Sequence, residues 1–109
     1  MNNVVLIGNI TRDIELRTGK TELASFTLAV QRRFKQDGEY KSDFISCKCF
    51  GKTAEFVSKY FGKGSKIALT GNIQTGRYEK DGTTIYTTEV IVDNVEFVEK
   101  KQESDPFDI

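Results

Sequence analysis

Phe44, Ser46, Lys48 and Phe50 occupy alternate positions of residues 42–50. On a strand, side chains alternate between faces with a period of two, so these four share one face. Ile45, Cys47 and Cys49 take the other, which is small and apolar and belongs in a core. The first face interleaves two aromatic rings with a cation. On an open sheet that chemistry stacks bases and neutralises phosphates. A strand buried on both faces would use the same phenylalanines as core.

Other candidate groups lie in the segments around this strand. Cations cluster at Arg32, Arg33 and Lys35, at Lys48 and Lys52, at Lys63 and Lys66, and at Arg77 and Lys80. Taken singly, each reads as a solvated charge. With Phe34, Phe44, Phe50 and Tyr78 they alternate with rings around one expected face, a pattern that fits single-stranded nucleic acid. The expected stacking set is therefore Phe34, Phe44, Phe50 and Tyr78. The expected phosphate contacts are Arg32, Arg33, Lys48, Lys52, Lys63, Arg77 and Lys80.

Several other chemistries find no support. The chain has 109 residues and no histidine, which removes the commonest general base and metal ligand. A lone Cys47-x-Cys49 without further Cys or His is not a zinc site. No metal, cofactor or catalytic group is expected. Residues 46–53 resemble a phosphate-binding P-loop, but Ser46 stands where its first glycine would be, and the segment reads as strand rather than loop. Two apolar cysteines on one strand face suggest reduced core thiols and a cytoplasmic protein. No apolar run reaches the ~18 residues of a membrane span.

Net charge is zero, with 16 basic and 16 acidic residues. The distribution is uneven. Residues 99–109 hold four acids and two bases, leaving residues 1–98 with 14 bases and 12 acids, a mildly basic body with an acidic tail.

Those groups need a scaffold. Residues 4–8 are apolar at four consecutive positions, a strand buried on both faces, one of which a partner copy would cover. Residues 9–16 continue it irregularly and 18–21 turn. Residues 23–31 alternate cleanly, with Ala24, Phe26, Leu28 and Val30 inward. Asp37-Gly38 marks a hairpin, and residues 32–41 read as a long basic loop, in which simple parity points Phe34 inward with Val30 unless a bulge redirects it.

Residues 53–61 read as a short helix capped by Thr53, with Ala54, Val57 and Phe61 on its docking stripe. In residues 65–78, Ile67, Leu69, Gly71 and Ile73 share a face, with Gly71 at a sharp bend. Asp81-Gly82 closes a second hairpin into a final strand, 84–98. The tail 99–109 has nothing to pack and is expected to be disordered. The expected architecture is all-β: a five-stranded OB-fold over residues 1–98, with one short helix between its third and fourth strands.

Three segments carry a resemblance: NNVVLIGN, FGKTAEFVSKYFGKGS and GNIQTGRYEKDGTTIYTTEV. Together they are similar to the bacterial and phage single-stranded DNA-binding protein family, over roughly residues 2–98. The resemblance implies an OB-fold homotetramer that wraps single-stranded DNA with little sequence preference, in replication, recombination and repair. It maps the family's stacking positions onto Phe34, Phe44, Phe50 and Tyr78 and its basic contacts onto Lys52 and Lys63, with Arg77 beside the last stacking position. Better-known members carry Trp at several stacking positions and this chain has none. Their acidic tip, which docks replication and repair proteins, corresponds to Asp105, Pro106 and Phe107, here followed by Asp108 and Ile109. An OB-fold RNA-binding or replication-accessory module is the alternative.

Overall fold

The computed structural model describes residues 1–98. Residues 99–109, expected above to be a disordered tail with Asp105, Pro106 and Phe107 as its docking tip, lie outside the described residues. In chain order the elements are β1 (Val4–Ile10), β2 (Glu15–Arg17), β3 (Leu23–Gln36), β4 (Glu39–Phe50), α1 (Gly51–Tyr60), β5 (Lys66–Lys80) and β6 (Thr83–Phe97).

The sheet runs β1-β5-β6-β4-β3-β2, and a further pairing of β1 with β3 (Asn9 opposite Ala29, Ile10 opposite Leu28) closes it. β1, β3, β4, β5 and β6 thus form a closed five-stranded barrel, and β2 is a three-residue addition at the edge of β3. β4 runs parallel to β6, with Cys47 opposite Val90 and Lys48 opposite Ile91, so the chain has to cross back between them, which it does through α1 and β5. This is the OB-fold.

Alternation builds the core. Ala24, Phe26 and Leu28 of β3, Cys47 and Cys49 of β4, Ile67 and Leu69 of β5, and Val90 and Val92 of β6 all point inward. Helix α1 caps one end of the barrel with Ala54 and Val57, and Phe61 packs in behind them. Gly71 marks the corner expected of it. The β5–β6 register shifts between Thr70 and Gly71, and a Cβ there would collide with the Ile91 carbonyl oxygen.

Four local expectations change. Residues 32–41 are not a loop: β3 and β4 pair up to a two-residue turn, where Asp37 (φ 52°) and Gly38 (φ 81°) form a type I′-like hairpin. Next to the turn, Gln36 pairs with Glu39 and Lys35 with Tyr40, so these backbone N–H and C=O groups find partners in each other. The register shifts between Gln31 and Lys35, and Phe34 sits in that irregular stretch, exposed rather than inward.

Second, the helix begins at Gly51 rather than after a Thr53 cap. Its N-cap is Phe50, with no side-chain cap bond, and Gly51 (φ 61°) turns the chain straight from strand into helix while its N–H donates to Glu22 O at 2.9 Å. Third, Phe61 is the C-cap, its N–H donating to Val57 O at 3.0 Å. Fourth, Ile73 keeps the parity of Leu69 but lies past the barrel end and is exposed. The outward face of β1 is bare, with Val5 73% and Ile7 52% exposed, so that strand is not buried on both faces within one chain.

Candidate nucleic-acid interface

β3 and β4 present one outward face. On β4 it carries Phe44, Ser46, Lys48 and Phe50; directly opposite on β3 stand Ala29, Thr27, Ser25 and Leu23. Small residues beside Phe44 leave its ring standing clear of the sheet. Six residues separate Phe44 from Phe50, roughly 20 Å of strand. β2 extends the face, with Glu15 opposite Ser25 and Arg17 opposite Leu23.

Exposure distinguishes these rings from core. Phe34 is 80% exposed, Phe44 70%, Tyr78 51% and Phe50 48%, whereas Phe26, two residues from the Leu28 core position on β3, is 4% exposed. The rings are not all on one patch. Phe44, Lys48 and Phe50 share the β4 face. Phe34, Arg32 and Arg33 ride on the β3–β4 hairpin where it leaves the barrel. Tyr78, Arg77 and Lys80 ride on the β5–β6 hairpin. There Tyr78 is opposite Ile85 and Arg77 opposite Tyr86, so Tyr78 and Arg77 point to opposite faces of the ribbon. Lys52 sits in the first turn of α1, two residues past Phe50, and Lys63 follows the far end of that helix.

Two of the expected phosphate contacts are already engaged. The Arg32 guanidinium straddles Asp43, with Nη2 2.8 Å from Oδ1 and Nε 3.1 Å from both oxygens, and its Nη1 donates to Gln36 Oε1 at 3.1 Å. That hydrogen bonding, with the opposite charge adding, raises the Arg32 pKa and holds the Asp43 carboxyl below its ordinary value. Both groups are open to solvent, so the pair contributes little to stability. It pre-orders the guanidinium, and a phosphate must displace Asp43 to use it. Lys48 Nζ lies 3.2 Å from Glu89 Oε2 on the neighbouring β6.

Behind the face, burial pushes the Cys47 thiol up to about 12, with Cys49 adding, and the Cys49 thiol up to about 11. Both stay protonated and inert as nucleophiles near neutral pH.

Some exposed groups were missed from the sequence. Tyr40 lies under Lys35, whose Nζ is 5.4 Å from the ring centroid, and Tyr86 stands across from Arg77. Both were available by counting outward from the Asp-Gly turns, since Lys35 and Tyr40, like Arg77 and Tyr86, are equidistant from a turn centre. Phe56, Tyr60, Phe61 and Phe97 form an aromatic cluster that no local pattern announces, because Phe97 arrives from the far end of the chain.

The profile of the single-strand binding protein family matches residues 1–98. The single-stranded DNA-binding protein of Clostridium perfringens is 52% identical over 103 residues, covering 91% of this chain and 67% of that protein. Single-stranded DNA-binding protein 1 of Streptococcus pyogenes is 48% identical, covering 93% of this chain and 81% of its own length. Single-stranded DNA-binding protein 1 of Staphylococcus aureus is 47% identical over 109 residues, covering 96% and 70%. With an OB-fold barrel, rings exposed on its outward sheet face and a family match spanning every described residue, the chain belongs to the single-strand binding protein family.

Proposed function

We propose that the protein binds single-stranded DNA without sequence preference and coats it during replication, recombination and repair in the cytoplasm. The observation that carries this reading is the exposure of Phe44 and Phe50 on one strand face with Lys48 between them. A ring held on a rigid strand offers a π-face to any base, so stacking is tolerant of sequence. Phe34 and Tyr78, on the two hairpins, extend the stacking set. Arg33, Lys52, Lys63, Arg77 and Lys80 provide charges for the backbone, with Arg32 and Lys48 joining once DNA competes with Asp43 and Glu89 for them. Selectivity for single strands follows from the same groups, because a base already paired and stacked in duplex cannot lie on a protein ring. Binding the open strand and not the duplex also melts DNA hairpins by mass action, in proportion to ln(1 + [protein]/Kd).

The working form is proposed to be a homotetramer. The outward apolar face of β1, with Val5 and Ile7 beside a groove lined by Ala68, Thr70, Asn94 and Glu96, supplies the surface one copy would cover on another. Family relationship supports the tetramer over a dimer.

Anisotropy titrations with labelled oligo-dT, a matched RNA and a duplex test the reading. It expects dT to bind tightest and duplex weakest. Equal affinity for duplex and oligo-dT contradicts it, and tighter binding to RNA favours an RNA-binding role instead.

A further inference from the structure

We propose that the single-stranded DNA track does not end at Phe50 but continues along the exposed face of α1, over Lys52 and Phe56, to a stacking position at Tyr60 and Phe97. The proposal rests on the single-strand-binding reading and adds a site to it.

The exposed face of α1 repeats the chemistry of the β4 face. The helix docks through Ala54 and Val57, so the opposite side is not needed for folding. That side carries Lys52, Phe56, Lys59 and Tyr60, with Phe56 four residues after Lys52 and Tyr60 four after Phe56. Lys59 Nζ lies over the Tyr60 ring, 5.5 Å from its centroid, so the ammonium must swing aside for a base to stack there, which leaves it beside that nucleotide's phosphate. Cations and rings are interleaved, as stacking and backbone neutralisation require.

The rings are also pre-organised. Phe97 is stacked on Phe61 (centroids 4.9 Å apart, 18° between planes), and Phe61 is buried at 7% exposure. Phe97 itself remains 59% exposed and Tyr60 53%. Phe56 ties the two together, 4.9 Å from Tyr60 and 5.8 Å from Phe97. A ring fixed by its neighbours loses little freedom when a base lands on it.

Continuity with the main face comes from Phe50, which is both the last ring of the β4 face and the N-cap of α1. Two residues further along the chain, a groove between helix and β6 is lined by Lys52, Thr53, Phe56, Asn94 and Val95. Of these, Lys52 is the one charged residue, and Lys59 follows on the same helix face. The ten-residue helix is about 15 Å long, enough for at most about four further stacked nucleotides.

Tyr60→Ala and Lys59→Glu in the full chain test this, because both side chains are exposed and neither is in the stacking or phosphate set of the sheet. Three readouts are compared with the parent protein: affinity for a dT of about 6 nucleotides, which fills the β4 face alone, the occluded site size on poly-dT, and mass by light scattering. Tyr60→Ala is expected to leave the short oligonucleotide within about twofold, shrink the site size by at least one nucleotide per protomer, and weaken a dT of about 16 nucleotides roughly fivefold or more. Lys59→Glu is expected to lower the salt dependence of binding the long strand only. Unchanged site size and long-strand affinity overturn the proposal, as does equal weakening of short and long strands. A changed mass with unchanged DNA binding also overturns it and makes the cluster a contact between copies. If the parent protein binds neither strand, the underlying reading fails rather than this extension.

Discussion

Phe44→Ala separates a binding ring from a core ring. The Phe44 side chain is 70% exposed and its cross-strand neighbour is Ala29, so truncation removes little buried contact. Such a pair is worth about 0.2–1 kcal/mol relative to an alanine pair, and the stability loss should stay under about 1 kcal/mol. For a domain of this size that lowers Tm by no more than about 8 °C. Phe26, 4% exposed, is the internal control, since Phe26→Ala should cost about 3–5 kcal/mol. Binding behaves oppositely. Losing one base stack costs about 1–3 kcal/mol, a fall in affinity of roughly 5- to 160-fold. The assay pairs a circular-dichroism melt with anisotropy of a labelled oligo-dT; a label is needed because the chain has no tryptophan. A variant that melts more than about 15 °C early while its folded fraction binds normally would refute the reasoning and make Phe44 a structural ring.

Asp43→Asn should release Arg32 from its carboxylate, tightening binding at low salt and steepening the slope of log K against log[salt] by up to about 0.7; an unchanged slope would show that Arg32 takes no phosphate. Val5→Asp should split the assembly to a smaller mass by light scattering while the barrel keeps its circular-dichroism spectrum, because the side chain is exposed in one chain; an unchanged mass would remove β1 from the interface. Cys47 and Cys49 should resist alkylation at pH 8 until the chain is denatured. Their folded pKa values lie above the ordinary 9.0, so the stability linked to them is complete below pH 9 and is lost as pH rises through about 11 to 12. A Cys47→Ala, Cys49→Ala variant should lack that share of the alkaline loss, and an identical loss in both proteins would contradict it.

Local pattern made the β4 face readable, because a period of two and a change from apolar to aromatic-plus-cation both lie within nine residues. The Asp-Gly turns and the helix docking stripe were equally local. Strand length was not. Nothing on either side of Asp37-Gly38 breaks a strand, and only the two-residue turn geometry decides that Lys35 and Gln36 pair with Tyr40 and Glu39. The start of α1 was misplaced because Thr53 is a good cap by type, whereas the chain turns two residues earlier on a glycine at positive φ. The ion pairs lay beyond reach for a different reason. Lys48 meets Glu89 through a parallel pairing of β4 with β6, which only barrel closure brings about. Arg32 meets Asp43 across an irregular register that simple parity does not place. The Phe56–Phe97 contact has the same long-range origin.

The central claim is that single-stranded DNA lies on the outward β3–β4 face and the flanking hairpins. Photo-crosslinking of a dT oligonucleotide carrying 5-iodouracil, followed by peptide mass spectrometry, addresses it directly, since the halogenated base couples to rings it stacks on. Crosslinks should fall on Phe44, Phe50, Phe34 and Tyr78 and fade when unlabelled oligo-dT, but not duplex, is added. Crosslinks confined to residues on other faces, such as Val5 and Ile7 of β1, with none on β4, would contradict the account.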